Sequence, residues 1–284
     1  MKTGIYRERT FTSFDGLALY FRDYGPPGTT IPLICLTGLT RNSKDFHGLA
    51  TRLLGAGRRV LCPDYRGRGR SQYDPAAANY KPETYVRDVI DLAAATGVHK
   101  AVFVGTSLGG LVTMAMALAR PGLIAGVILN DVGPELPKAG LGRIAGYVGQ
   151  ALSFSSWEEA AAAYKARYGF ANPDAGNEEW LPLARDTFAE DADGTIRTDY
   201  DVAIAQNLSG APLPDLWPMY RALGHVPLLG LRGELSDILE PEIFARMGRE
   251  HPDFTAVTVP RVGHVPRLTE PEAEAAIDSY LARL

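Results

Sequence analysis

Short apolar runs alternate with longer amphipathic stretches along most of this chain. The runs lie at 32–37, 59–63, 101–105, 126–130, 226–231 and 254–259, and largely apolar character over that length is the mark of strands buried on both faces. Between them, near 44–56, 83–96, 108–120, 240–249 and 270–283, the pattern is that of helices. Strands alternating with helices predict a parallel sheet covered on both faces. Ahead of this series, segments 6–12 and 17–24 meet at Asp15-Gly16, a favoured hairpin pair, which predicts an antiparallel start.

One interval breaks the alternation. Between the runs ending near Asn130 and starting near Val226 no stretch shows a strand pattern, while "SSWEEAAAAYKARYGF" reads as a helix with Ser155 or Ser156 at its N-cap and Glu158 and Glu159 in its first turn. An insertion here leaves the sheet at the carboxyl ends of its strands, where open α/β sheets bind ligands. The expectation is a helical lid over 134–215, with 1–133 and 216–284 forming the core. Trp157, Tyr164, Tyr168, Phe170, Trp180 and Trp217 lie in or beside it; aromatics at helical spacing are expected to fill core more often than pocket.

From Ala101 to Ala119 no residue is charged, a length that would fit a membrane span. The run breaks, however, at Gly105-Thr106-Ser107-Leu108-Gly109, between residues of strand character and residues of helix character. Gly-x-Ser-x-Gly in a strand-to-helix turn presents a serine hydroxyl at the sheet edge, so Ser107 is the expected nucleophile. A serine needs a base, and the base an acid that holds its tautomer. Of five histidines, His264 lies in a loop after the last strand, in "VPRVGHVPRLTEPE", with Gly263 before it and Pro266 after. His251, in "REHPDF", is expected to be a solvated helix end, and His47, His99 and His225 to be structural or surface residues. For the acid, Asp237 in "LLGLRGELSDILEPE" is favoured over Asp131 in "ILNDVGP", which also ends a parallel strand on the same side of the sheet. An oxyanion needs backbone donors; Leu108 N–H, directly after the nucleophile, and Leu39 N–H, in the loop "LTGLTRNSKDF", are the expected pair.

Composition narrows the picture further. A formal net charge of −4 with scattered basic residues gives no electrostatic reason to expect nucleic acid or an anionic membrane as partner. Cys35 and Cys62 both sit in apolar runs and are expected to be buried free thiols, without His or Cys neighbours at zinc-site spacing. The first residues are charged and lack the apolar stretch of a secretory signal, so a cytoplasmic location is expected.

Taken in order, "LTGLTRNSKDF", "PDYRGRGRS", "GTSLGG", "RGELSD" and "GHVPRLTEPE" resemble the oxyanion loop, the Asp-x-Arg-Gly-x-Gly-x-Ser turn, the nucleophile elbow, the acid loop and the histidine loop of the α/β-hydrolase superfamily. The resemblance implies a mostly parallel eight-stranded sheet in the order 1-2-4-3-5-6-7-8, its second strand antiparallel, with a helical cap inserted after the sixth. It implies that Asp64, Arg66 and Gly67 brace a turn as a charged pair and a glycine. Two departures stand out: Thr37-Gly38 replaces the usual His-Gly of the oxyanion loop, and Val265-Pro266 follows His264 where carbon–carbon bond hydrolases often have Trp. The expected activity is that of a serine carboxylesterase working on small or medium esters, lactones included, through an acyl-enzyme, with no metal or organic cofactor and a small-molecule ester as its partner. The alternatives are a hydrolase of carbon–carbon bonds in ring-fission products and, in another class, a ligand-binding protein that keeps the fold without turnover.

Overall fold

The predicted hairpin forms from β1 (Arg7–Thr12) and β2 (Ala18–Tyr24), with Gly16 in the turn at φ +92°. In the computed structural model, which describes residues 4–208 and 214–284, the alternating series follows. It comprises β3 (Leu33–Leu36), α1 (His47–Gly55), β4 (Val60–Pro63), α2 (Pro82–Thr96), β5 (Ala101–Thr106), α3 (Leu108–Ala119) and β6 (Ile124–Asn130). After an insertion, α7 (Trp217–Arg221) returns the chain to β10 (Leu228–Gly233), α8 (Pro241–Glu250), β11 (Phe254–Val259) and α9 (Pro271–Leu281). The eight strands pair in the order β1-β2-β4-β3-β5-β6-β10-β11, and β2 runs antiparallel to both neighbours.

Alternation along each strand feeds two cores. Ile34 and Leu36, Phe103, and Val127 and Leu129 point to the face covered by α2, α3 and α8; Leu33 and Cys35, Val102 and Val104, and Ile128 point to the face covered by α1 and α9. Each such buried Leu, Ile or Phe contributes on the order of 2 kcal/mol, so the strand ends that carry chemistry are anchored from both sides. Cys35 and Cys62 are free and fully buried in β3 and β4.

The insertion holds α4 (Lys138–Ala145), α5 (Trp157–Tyr168) and α6 (Trp180–Thr187), with Ser156 as the N-cap that accepts from Glu159 N–H. It is not purely helical. Strands β7 (Ser153–Phe154), β8 (Phe188–Glu190) and β9 (Ile196–Thr198) form a small antiparallel sheet in the order β7-β9-β8. Strands of two or three residues are too short to show alternation, which is why the pattern missed them. This layer has its own core of Ala160, Ala161, Trp180, Ala184, Phe188 and Ile196. Trp217 instead packs into the main core, and Phe170 is exposed. Residues 209–213, near the end of the expected lid, and residues 1–3 lie outside the described residues.

Two local expectations need correction. His251 is not a solvated helix end: it is 5% exposed. Its Nδ1 accepts from Asp253 N–H and its Nε2 faces the Leu223 carbonyl. Nor do Asp64 and Arg66 pair. Asp64 accepts from the backbone N–H groups of Ser43 and Arg70, while the buried Arg66 guanidinium binds Asp15, Asp74 and Asp88. Three carboxylates around one guanidinium compensate its desolvation better than one could.

Candidate active site

Strands β5 and β6 pair in parallel up to Thr106 opposite Asn130, so the residues that follow, Ser107 and Asp131, leave the same sheet edge side by side. Both have positive φ, 51° and 55°, a region costly for residues with a Cβ. The turn at Ser107 is possible because its flanking glycines leave room. A Cβ on Gly105 would lie 2.6 Å from the backbone of Gly109 and Gly110, and one on Gly109 would collide with the Leu36 carbonyl.

The loop after β11 brings His264 to this edge. Its Nε2 lies 3.1 Å from Ser107 Oγ, and its Nδ1 lies 2.7 Å from Asp131 Oδ2. With a carboxylate facing Nδ1, the ring carries its proton there and leaves Nε2 to accept from the serine hydroxyl. Asp131 is fully buried, yet amply satisfied: Oδ1 accepts from Gly233 N–H at 2.9 Å and Oδ2 also accepts from Ser236 Oγ at 2.7 Å.

Asp237, the acid favoured from the sequence, does not reach the histidine. Arg143 on α4 takes both its oxygens, Nε to Oδ2 at 2.6 Å and Nη2 to Oδ1 at 2.8 Å. Burial raises the Asp237 pKa, but the Arg143 hydrogen bond and charge outweigh it and leave it below the usual carboxylate value. Asp237 therefore ties the insertion to the core, and the contact expected of it is made by Asp131. The loop after β10 still serves the histidine indirectly, through Ser236 and the Gly233 amide.

On the other side of Ser107, Leu108 opens α3, so its N–H is one of the first-turn groups with no intrahelical partner. Leu39 lies in a turn closed by Arg41 N–H to the Gly38 carbonyl. A Cβ built on Gly38 would sit 3.8 Å from Ser107 Cβ, so this loop passes directly beside the nucleophile. Thr37, in the place of the usual histidine, braces the loop by donating to the Arg41 carbonyl at 3.3 Å. Sequence reasoning missed Arg68. It is fully buried, donates Nε to the Leu39 carbonyl at 2.9 Å and Nη1 to the Arg66 carbonyl and Tyr85 hydroxyl at 2.8 Å, and packs over the Tyr85 ring.

A cavity of about 720 Å³ opens at Ser107 and His264 between the sheet edge and the insertion. Tyr147 lines it from the segment between α4 and α5, and Tyr164 and Tyr168 line it from α5, so two of the aromatics expected in core face the pocket instead. The roof is fastened to the core on several sides. Lys44 donates to the Arg185 and Phe188 carbonyls, Asn42 to Asp199, and Gly263 N–H to the Ala171 carbonyl. Among the described residues no cluster of His, Cys, Asp and Glu could hold a metal, and no helix is long and apolar enough to cross a membrane.

Known proteins resemble this arrangement throughout. A family model described as "Alpha/beta hydrolase family" matches residues 33–277. The chain is 33% identical over 266 residues to a 3-hydroxybutyrate-oligomer hydrolase of Cupriavidus necator, covering 90% of each chain. It is 29% identical over 237 residues to a 2-(acetamidomethylene)succinate hydrolase of Mesorhizobium japonicum, covering 83% of this chain and 82% of that one. Among solved structures, an alpha/beta hydrolase from Novosphingobium aromaticivorans superposes with a TM-score of 0.94 at 46% identity, over 99% of both chains.

Proposed function

Because the chain belongs to the alpha/beta hydrolase family, we propose that it is a serine hydrolase of carboxylic esters, with Ser107 as nucleophile, His264 as base and Asp131 as the orienting acid. The observation that carries this reading is the continuous line from Ser107 Oγ through both nitrogens of His264 to Asp131 Oδ2, at 3.1 and 2.7 Å. Packing alone does not require a buried carboxylate, a histidine and a strained serine in register.

The chemistry follows from the geometry. As Ser107 Oγ attacks the ester carbonyl carbon, Nε2 takes its proton and the buried Asp131 stabilises the imidazolium. Charge builds on the carbonyl oxygen, which Leu39 and Leu108 N–H would receive. His264 then protonates the leaving alcohol, the C–O bond breaks and an acyl-Ser107 remains. A water deprotonated at Nε2 attacks the acyl carbon, Ser107 departs with that proton, and the acid is released.

For the substrate, the relative that cleaves 3-hydroxybutyrate oligomers supports a short ester of a hydroxy acid. Such an oligomer ends in a free carboxylate. The segment over the cavity acts as the lid that admits it and closes over the bound ester.

Purified protein would be incubated with a p-nitrophenyl ester series, a 3-hydroxybutyrate dimer and trimer and a ring-fission dienoate, and separately with a fluorophosphonate probe. Ester turnover with a probe adduct on Ser107 is expected. Dienoate turnover without ester cleavage would establish carbon–carbon hydrolysis instead, and no adduct on the folded protein would leave a binding protein.

A further inference from the structure

Four cationic side chains line the cavity: Arg22, Arg41, Lys44 and Arg267. Three are already neutralised: Arg41 by Asp45, Lys44 by Asp199 and Arg267 by Glu179. Arg22, on β2, is the exception. It is half-buried, it has no ion-pair partner among the described residues, and its Nε is shielded from solvent with no hydrogen-bond partner. The Tyr6 ring holds the guanidinium from one side at 4.6 Å.

A half-buried guanidinium that has its Nε shielded and pairs with no carboxylate is stabilised when an anion binds to it. Beside it lie a histidine, His47, and a carboxylate, Asp186. His47, beside it and hydrogen-bonded to the Tyr24 hydroxyl at 3.0 Å, is pushed below its ordinary pKa by burial and by Arg22 itself. Asp186 also lines the cavity and acts on Arg22 through its charge, but forms no ion pair with it among the described residues; burial raises the Asp186 pKa above its usual value.

We propose that Arg22 is the subsite for the free carboxylate of the substrate, so that the enzyme selects esters whose leaving alcohol is itself a carboxylic acid. This rests on the ester hydrolysis at Ser107 proposed above. Arg22 pairs with Cys62 and so lies in register, through β3, with Val104, three residues short of Ser107 along the strands, and its side chain reaches the cavity that opens at Ser107. From β2 across β4 and β3 to β5 is three strand spacings, about 14 Å. With bonds of about 1.5 Å one hydroxybutyrate unit spans roughly 5 Å, so the two side chains bracket a short oligomer. The cavity wall carries as many carboxylates as cations, four of each, which suits a single negative charge and opposes a phosphate or polyanion.

The test compares the 3-hydroxybutyrate dimer with its methyl ester, which keeps the scissile bond and loses the charge. In wild type, kcat/KM for the acid should exceed that for the methyl ester at least tenfold. Arg22→Met should lower that ratio at least tenfold, mainly through KM, and Arg22→Lys should restore part of it. Binding of both compounds to Ser107→Ala, with and without Arg22→Met, gives a readout free of turnover. Weaker acid binding in the double variant, with no hydrolysis by wild type, would keep the subsite and sink the ester-hydrolase reading. An acid-to-ester ratio or an acid affinity that Arg22→Met leaves unchanged would overturn the subsite.

Discussion

Asp131 Oδ2 stands 2.7 Å from His264 Nδ1, while Asp237, one loop further on, is held by Arg143. Asp131→Asn should therefore lower kcat by roughly 10⁴, because an amide cannot hold the Nδ1–H tautomer. Asp237→Asn should lower it less than tenfold. Its pair with Arg143 is partly exposed, 27% and 35%, and such pairs contribute about 1 kcal/mol or less. Its loss should appear instead as faster hydrogen exchange across Lys138–Ala145. Kinetics well above pH 6.5, with exchange on the same proteins, check both; the reverse ranking would return the acid to Asp237.

Ser107→Ala should abolish ester turnover, a loss on the order of 10⁴ to 10⁶ in kcat, and should leave thermal stability nearly unchanged. Alanine carries the same positive-φ strain as serine, and the hydroxyl's partner here is His264 rather than the core. A variant that keeps a tenth of wild-type activity would remove Ser107 as nucleophile.

Arg68 acts at one remove, through the Leu39 carbonyl. Its partners are backbone carbonyls and a tyrosine, so Arg68→Met strands no buried carboxylate. The expected result is a drop in kcat of about ten- to a hundredfold, comparable with loss of part of an oxyanion donor, with KM changed little. A purely structural role would lower the active fraction, measured by fluorophosphonate titration, and leave kcat per active site intact.

Stability should fall on acidification below neutrality. Burial pushes the His251 pKa below 6.5, so as pH drops through that value the unfolded chain takes up a proton that the native state resists. The stabilisation is present above pH 6.5 and is lost toward the lower, native pKa. Urea unfolding at pH 7.5 and 5.5 should show a steeper loss for wild type than for His251→Gln, which keeps a donor and an acceptor. Equal losses would mean His251 is not buried in its neutral form.

The core elements were legible in the sequence because strands buried on both faces leave an unmistakable apolar run, as at "FVG" and "VILN". Ser107 and His264 were legible for a related reason: glycine spacing and position after a strand are local features. The acid was not. Asp131 and Asp237 both follow parallel strands, and what separates them is Arg143, a partner contributed from far along the chain. Arg68 was equally hidden, since a charged residue in "RGRGR" reads as surface until Tyr65, Tyr80 and Tyr85 are seen around it.

The place of the insertion also sets the order in which a growing chain acquires its parts. Ser107, the Leu39 loop and Asp131 all precede it, whereas β10, which covers the free edge of β6, and His264 come after it. During synthesis β6 is an open edge until the whole insertion has been made, and such edges invite pairing with other chains. Ser107 emerges early but meets its proposed base, His264, only after β11 has been made, so a chain that stops before β11 carries Ser107 without that partner.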